Sequence, residues 1–134
     1  MRKLFLTLIF LVVTTANAAA PPETIVSLMR PKPGKEAALI EALRNHRKTL
    51  ERLDAVIGPY WLYRGSGEED GKPILVEIFT WKSGDIPDNA PPEILKGWAL
   101  LESLVEKRNG RRGIEFYAIE PVADASTMVP SPSK

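Results

Sequence analysis

From residue 24 onward the apolar residues fall alternately into runs and stripes. Thr24 to Arg30 (Thr-Ile-Val-Ser-Leu-Met-Arg) is a β-rich run, stopped by Pro31-Lys32-Pro33-Gly34, where two prolines and a glycine forbid ladder continuation. It predicts a first strand. From Lys35 the period changes: Leu39, Leu43, His46, Leu50 and Leu53 recur at spacings of four and three, one stripe of a helix. Glu41, Arg44, Arg47, Lys48 and Glu51 fall on its other faces, and Gly58-Pro59 is expected to end it, since proline cannot continue the ladder of N–H donors. Two aromatic and β-branched runs follow, Tyr60 to Arg64 and Ile74 to Trp81, joined by the glycine-rich, acidic stretch 65–73. They predict a hairpin with an exposed loop. Ile94, Leu95, Trp98, Leu101, Leu104 and Val105 form a second helical stripe, with Pro92 suited to its first turn, where the missing N–H costs nothing. Asn109-Gly110 is expected to end this helix, and Gly113 to Glu120 reads as a last strand before Pro121.

The order β-α-β-β-α-β predicts an α+β, ferredoxin-like domain: an antiparallel four-stranded sheet with two helices on one face. Such a sheet leaves its other face bare. The third strand carries Leu75, Glu77, Phe79 and Trp81 on one side and Ile74, Val76 and Ile78 on the other, so both sides are apolar and a second cover is needed. The simplest cover is a second copy of the chain, in a two-fold symmetric homodimer with sheets facing.

The first residues change the picture of where the domain works. Met1-Arg2-Lys3 precedes the apolar run Leu4 to Val13, and Ala16-Asn17-Ala18 supplies an A-x-A end, the order of a cleavable signal peptide. The run is about half the roughly 20 residues a membrane span requires. Cleavage is expected after Ala18, because a cut after Ala20 would place the restricted backbone of Pro21 directly behind the scissile bond. The expected organisation is a signal peptide at 1–18, a short linker at 19–22, the domain at 23–121 and a disordered tail at 122–134, the product being periplasmic or secreted. The membrane is then a partner only transiently. Without Arg2 and Lys3, the 18 basic residues become 16, against 17 acidic ones. A nearly neutral, exported domain argues against a nucleic-acid partner. The chain has no cysteine, which excludes disulfides, thiolate nucleophiles and cysteine-ligated metals.

Candidate chemistry is sparse. His46, the only histidine, lies on the apolar stripe of the first helix; a pocket imidazole can act as base or hydrogen-bond donor, or simply pack at the core edge. Glu77 lies mid-strand among apolar neighbours, where a carboxylate must be hydrogen-bonded, paired or protonated. His46 or an arginine such as Arg44 or Arg64 would be its partner, in a structural pair as readily as a catalytic one. Phe79 and Trp81 beside Glu77, facing Trp98, form the best candidate wall for a flat apolar ligand, although aromatics on strands and stripes also serve as plain core. Lys107, Arg108, Arg111 and Arg112 read as solvated cations near a helix end. Gly65-Ser66-Gly67 has no phosphate-loop signature, and Ser66 and Ser83 have no nucleophile context. With a single histidine, no metal site is expected.

Pro31-Lys32-Pro33-Gly34-Lys35-Glu36 entering a helix, Leu75-Val76-Glu77-Ile78-Phe79 with its acid two before an aromatic, and the element order together resemble the dimeric α+β barrel superfamily, in its antibiotic biosynthesis monooxygenase-like (ABM) branch. The resemblance covers about residues 23 to 121. It implies a homodimer with a pocket in each subunit between sheet and helices, in a family that includes cofactor-independent oxygenases of polycyclic phenols and haem-degrading enzymes. Haem chemistry is not carried over. The relatives that perform it use an Asn on the first strand and a His on the second helix, whereas this first strand offers Thr24 and Ser27 and the second helix has no His. No cofactor is therefore expected. Three readings stand: a domain binding a small apolar or aromatic molecule; a cofactor-independent monooxygenase-type enzyme in which His46 takes a proton and Glu77 orients it; and a non-catalytic structural or interaction dimer.

Overall fold

The computed structural model describes residues 18–66 and 70–122. The expected signal segment up to residue 17, the hairpin tip at 67–69 and the tail from 123 lie outside them. The elements run β1 (Glu23–Met29), α1 (Glu36–Arg52), β2 (Val56–Gly65), β3 (Ile74–Trp81), a short 3-10 turn (Pro87–Asn89), α2 (Pro92–Leu104) and β4 (Ile114–Ile119). The sheet has four strands in the order β2-β3-β1-β4, and every pairing is antiparallel. This is the ferredoxin-like arrangement the sequence predicts. Among the described residues no helix is long and apolar enough to cross a membrane.

Two element ends differ from the sequence reading. Helix α1 stops at Arg52, well before Gly58-Pro59. Asp54 takes a left-handed φ of 53°, and the amides of Asp54 and Ala55 donate to the carbonyls of Glu51 and Leu50. That is a Schellman closure with an aspartate where glycine is usual. Gly58-Pro59 instead lies inside β2, where the register jumps between Ile57, opposite Thr80, and Trp61, opposite Ile78. Gly58 supplies the positive φ of 69° that this bulge uses. Helix α2 ends at Leu104, not at Asn109-Gly110. Val105 is already extended and bridges Pro31, while Asn109-Gly110 forms a separate turn between Arg108 and Arg111.

That second difference brings a correction for the basic cluster. Arg108 is buried. Its guanidinium donates to the carbonyls of Pro31 at 2.6 Å and Pro73 at 2.9 Å, and its Nε to Glu106 at 3.0 Å. Arg30, also buried, donates to the Arg112 carbonyl at 2.6 Å and pairs with Glu115. These arginines tie the end of β1 to the segment after α2, using donors in forked geometry to satisfy carbonyls that leave the ladders.

The register assigns the faces. Ile25, Ser27 and Met29 of β1 share the helix-facing side with Leu75, Glu77, Phe79 and Trp81 of β3, and these are the buried positions of both strands. The core between sheet and helices falls into two apolar clusters. One gathers Met29, Leu39, Leu43, Leu75, Leu101, Val105 and Ile114; the other gathers Ile25, Leu50, Val56, Phe79, Trp81 and Ile94. Between them, on three elements, sit buried polar residues: Ser27 between Ile25 and Met29, Glu77 between Leu75 and Phe79, and His46 between Leu43 and Leu50. On the opposite face Trp61, Tyr63, Tyr117 and Ile119 remain exposed, in register with Ile78, Val76, Val26 and Thr24.

Candidate functional site

At the polar layer the two clusters do not close on each other. A cavity of about 350 Å³ lies there, lined by Ile25, Met29, His46, Leu50, Glu77, Phe79, Trp81, Trp98, Leu101 and Ile114, with Glu23, Pro87, Glu102 and Phe116 also on its wall. Phe116 is 58 % exposed and Glu102 is exposed, so the cavity opens to solvent between β4 and α2. Its volume lies at the lower end of small-molecule sites. The structure thus brings all the candidate residues, His46, Glu77, Phe79, Trp81 and Trp98, onto one wall.

The aromatic part is ordered edge to face. Phe79 meets Trp81 with centroids 5.1 Å apart and planes at 83°, and Trp81 meets Trp98 at 6.4 Å and 82°. The positive edge of one ring points at the negative face of the next, which fixes the rings without filling the cavity.

Glu77 is 5 % exposed. Burial pushes its carboxyl up to about 7, partly opposed by the hydroxyls of Tyr60 and Ser27 and by the charge of Arg47. Ser27 is its direct cross-strand neighbour. The Ser27 and Tyr60 hydroxyls approach the carboxyl without closing a well-formed hydrogen bond, and both are buried without another partner. Tyr60 comes from the strand that the Gly58-Pro59 bulge re-aims, and burial together with the nearby Glu77 raises its phenol pKa. Arg47 stacks its guanidinium over the Tyr60 ring, 5.1 Å from the centroid, and donates from Nε to Glu51 at 2.7 Å.

These contacts correct the partner expected for Glu77. Arg64 reaches Glu36 instead, at 2.7 Å. Arg44 is exposed and acts only through its field on Tyr60. His46 makes no hydrogen bond to Glu77, and neither group shifts the other's pKa. Arg47, placed by the helical period on a polar face, is the cation that Glu77 feels, and it is buried. The buried stripe of α1 is one residue wider than its apolar positions, because a long side chain at its edge can tuck inward along its methylenes.

His46 is 8 % exposed, and burial lowers its pKa, so the imidazole stays neutral at pH 7. Its Nδ1 is buried without a hydrogen-bond partner. It lies against Gly97, where an added Cβ would overlap Nδ1. Gly97 sits in the middle of α2, a position at which glycine costs about 0.5–1 kcal/mol relative to alanine. The helix accepts that cost, and the imidazole occupies the space. A glycine in an amphipathic stripe was the sequence signal for this contact; Ser27, a lone hydroxyl among inward apolar residues of β1, was the signal for the polar layer. Among the described residues no group of three or more His, Cys, Asp or Glu side chains converges to hold a metal ion.

Solved structures share this architecture. The chain is similar to a candidate antibiotic biosynthesis monooxygenase from Caulobacter crescentus (12 % identity, TM-score 0.58, 77 % of this chain and 92 % of that one). It is also similar to SnoaB, a cofactor-independent oxygenase from Streptomyces nogalater (17 % identity, TM-score 0.55, 78 % and 98 %). A third is a dimeric ferredoxin-like protein of unknown function from Jannaschia sp. CCS1 (16 % identity, TM-score 0.56, 75 % and 99 %). No family profile matches the sequence, and no curated protein is similar to it. The chain shares the ferredoxin-like fold of these proteins, the fold that the resemblance in its sequence implied.

The buried carboxyl makes stability depend on pH with a definite sign. Below about pH 4.5 the group is protonated folded and unfolded; between 4.5 and about 7 the folded state alone keeps the proton, so stability falls as pH rises. His46 acts oppositely, its contribution being lost as pH falls below 6.5. Replacing Glu77→Gln removes the first effect and leaves the second. Urea unfolding of this variant should show a gain of roughly 1–3 kcal/mol above about pH 7 that fades toward pH 4. A pH profile parallel to that of the unchanged protein would contradict a carboxyl raised by burial.

Proposed function

We propose that this ABM-like domain binds a small apolar or aromatic molecule in the cavity between sheet and helices. One observation carries the reading: a wall of Phe79, Trp81, Trp98 and aliphatic side chains meets only a few polar groups, His46 and Glu77 among them, at a cavity open to solvent. Buried apolar wall supplies affinity, and sparse polar groups fix orientation. The first 18 residues read as an export signal, which supports a binder working in the periplasm or outside the cell. One experiment addresses both. Intact-mass and small-molecule mass spectrometry of the protein purified from its native compartment should give a chain starting at Ala19 and an aromatic compound released on unfolding. A chain still starting at Met1 would remove the export reading; an empty protein whose tryptophan fluorescence is unmoved by a panel of aromatic compounds would remove the binding reading.

A second reading, a cofactor-independent monooxygenase-type enzyme, is favoured by the two titratable groups on one cavity wall. The neutral His46 imidazole is in the state that accepts a proton from a phenol or enol. Glu77 does not orient it, since no hydrogen bond joins them; it is a second, separate titratable group. Once a substrate is found, His46→Ala should lower kcat by about 100-fold or more, the scale of general-base contributions. Undiminished turnover removes His46 from the chemistry.

The exposed sheet face supports a homodimer. Trp61, Tyr63, Tyr117 and Ile119 are 42–54 % exposed on the face opposite the helices, and a two-fold interface would bury this one apolar patch on both copies at once. Sedimentation at micromolar concentration should give twice the chain mass, and Trp61→Glu should return it to one. A monomeric unchanged protein refutes this assembly.

A further inference from the structure

The charges around the cavity are one-sided. Its wall carries three carboxylates, Glu23, Glu77 and Glu102, and no lysine or arginine. From this geometry we infer that the cavity selects an organic cation, an aromatic or arylalkyl amine, over an anion of the same shape. The inference rests on the binding reading above and sharpens it to a ligand class.

Each group facing Glu77 bears on this choice. Arg47 of α1 does not line the cavity; Glu51, the Gly58 carbonyl and the Tyr60 ring engage it, one guanidinium nitrogen is buried without a partner, and its charge acts on Glu77 from outside the wall. Tyr60 of β2 and Ser27 of β1 offer hydroxyls, not charge. His46 of α1 is held neutral by burial. Glu102 of α2 and Glu23 of β1 stand on the wall, exposed and half-buried respectively. A ligand carboxylate entering here would lose its hydration, find no cation on the wall and meet the like charge of Glu23 and Glu102. An ammonium group would meet Glu77 at depth and a wall built from Phe79, Trp81 and Trp98, a combination of carboxyl and aromatic wall that suits cations. Its charge would also favour the ionised form of Glu77, so cation binding should release a proton from a carboxyl that titrates at about 7.

The test uses three indoles of similar shape and different charge: tryptamine, neutral tryptophol and indolepropionate, titrated calorimetrically into the full mature domain. Tryptamine should bind at least about tenfold tighter than indolepropionate near pH 8, and its affinity should rise as pH increases from about 6 to 8. Glu77→Gln, checked for folding by circular dichroism, should abolish that pH dependence and narrow the preference. Equal or tighter binding of indolepropionate, or an amine affinity that ignores pH and Glu77→Gln, overturns the cation preference while leaving a binder of aromatics intact. Failure of all three indoles to bind at millimolar concentration overturns both.

Discussion

A carboxyl group placed mid-strand on the helix-facing side of the sheet is the constraint around which the rest of this domain is arranged. Glu77 cannot be both ionised and unpartnered where it lies, because its desolvation would cost more than a small domain can spare. Three responses are visible. Its proton is retained up to about 7. Hydroxyls approach it from both neighbouring strands, Ser27 through the β1 register and Tyr60 through the β2 bulge. A guanidinium, Arg47, is drawn under cover from the flank of α1 and held by Glu51 and the Tyr60 ring. The polar layer also divides the apolar core in two, and it is at this division that the layers stay apart and leave a cavity.

The architecture was legible in the sequence because it depends on period. Alternation in β3, the four-and-three spacing of Leu39, Leu43, His46 and Leu50, and Pro92 at the start of α2 each leave a local trace, and their order fixes the ferredoxin-like topology. The misplaced ends have physical causes. Asp54 closes α1 in a conformation that usually announces itself with glycine, and its side chain is held by Lys82, so no local signal marked the stop. Gly58-Pro59 looks like a terminator in one dimension, yet at a bulge proline need not donate to the ladder. Arg108 reads as a surface cation until the fold brings the Pro31 and Pro73 carbonyls to it from chain positions far away.

The candidate site was legible in its members and illegible in its wiring. His46, Glu77, Phe79, Trp81 and Trp98 all reach one cavity wall, because facing the core is a property of period. Which polar atom meets which is a property of packing distance and helix rotation, and there the expected pairings of Glu77 with His46, Arg44 or Arg64 gave way to Arg47, Tyr60 and Ser27. The cavity itself depends on the gap between layers. Gly97 shows how finely that gap is set: a single missing Cβ lets the imidazole rest against α2, with its one unpaired buried nitrogen as the cost.

The two faces of β3 answer to different demands, and this separation bears on how such a fold can vary. Ile74, Val76 and Ile78 point to the open face, where apolar surface calls for a cover; Leu75, Glu77, Phe79 and Trp81 point to the helices, where the cavity lies. The cavity opens between β4 and α2, at Phe116 and Glu102, away from the open face. The cavity wall can therefore change without disturbing the residues of the open face. Structures that share this fold at 12–17 % identity include a cofactor-independent oxygenase and a dimeric protein of unknown function. With the outer face free to serve assembly, the chemistry of each member must be argued from its own cavity wall. In this chain that wall is aromatic and acidic, with a neutral histidine and no basic side chain, and the carboxyl that divides the core is also the polar group a ligand would meet at depth.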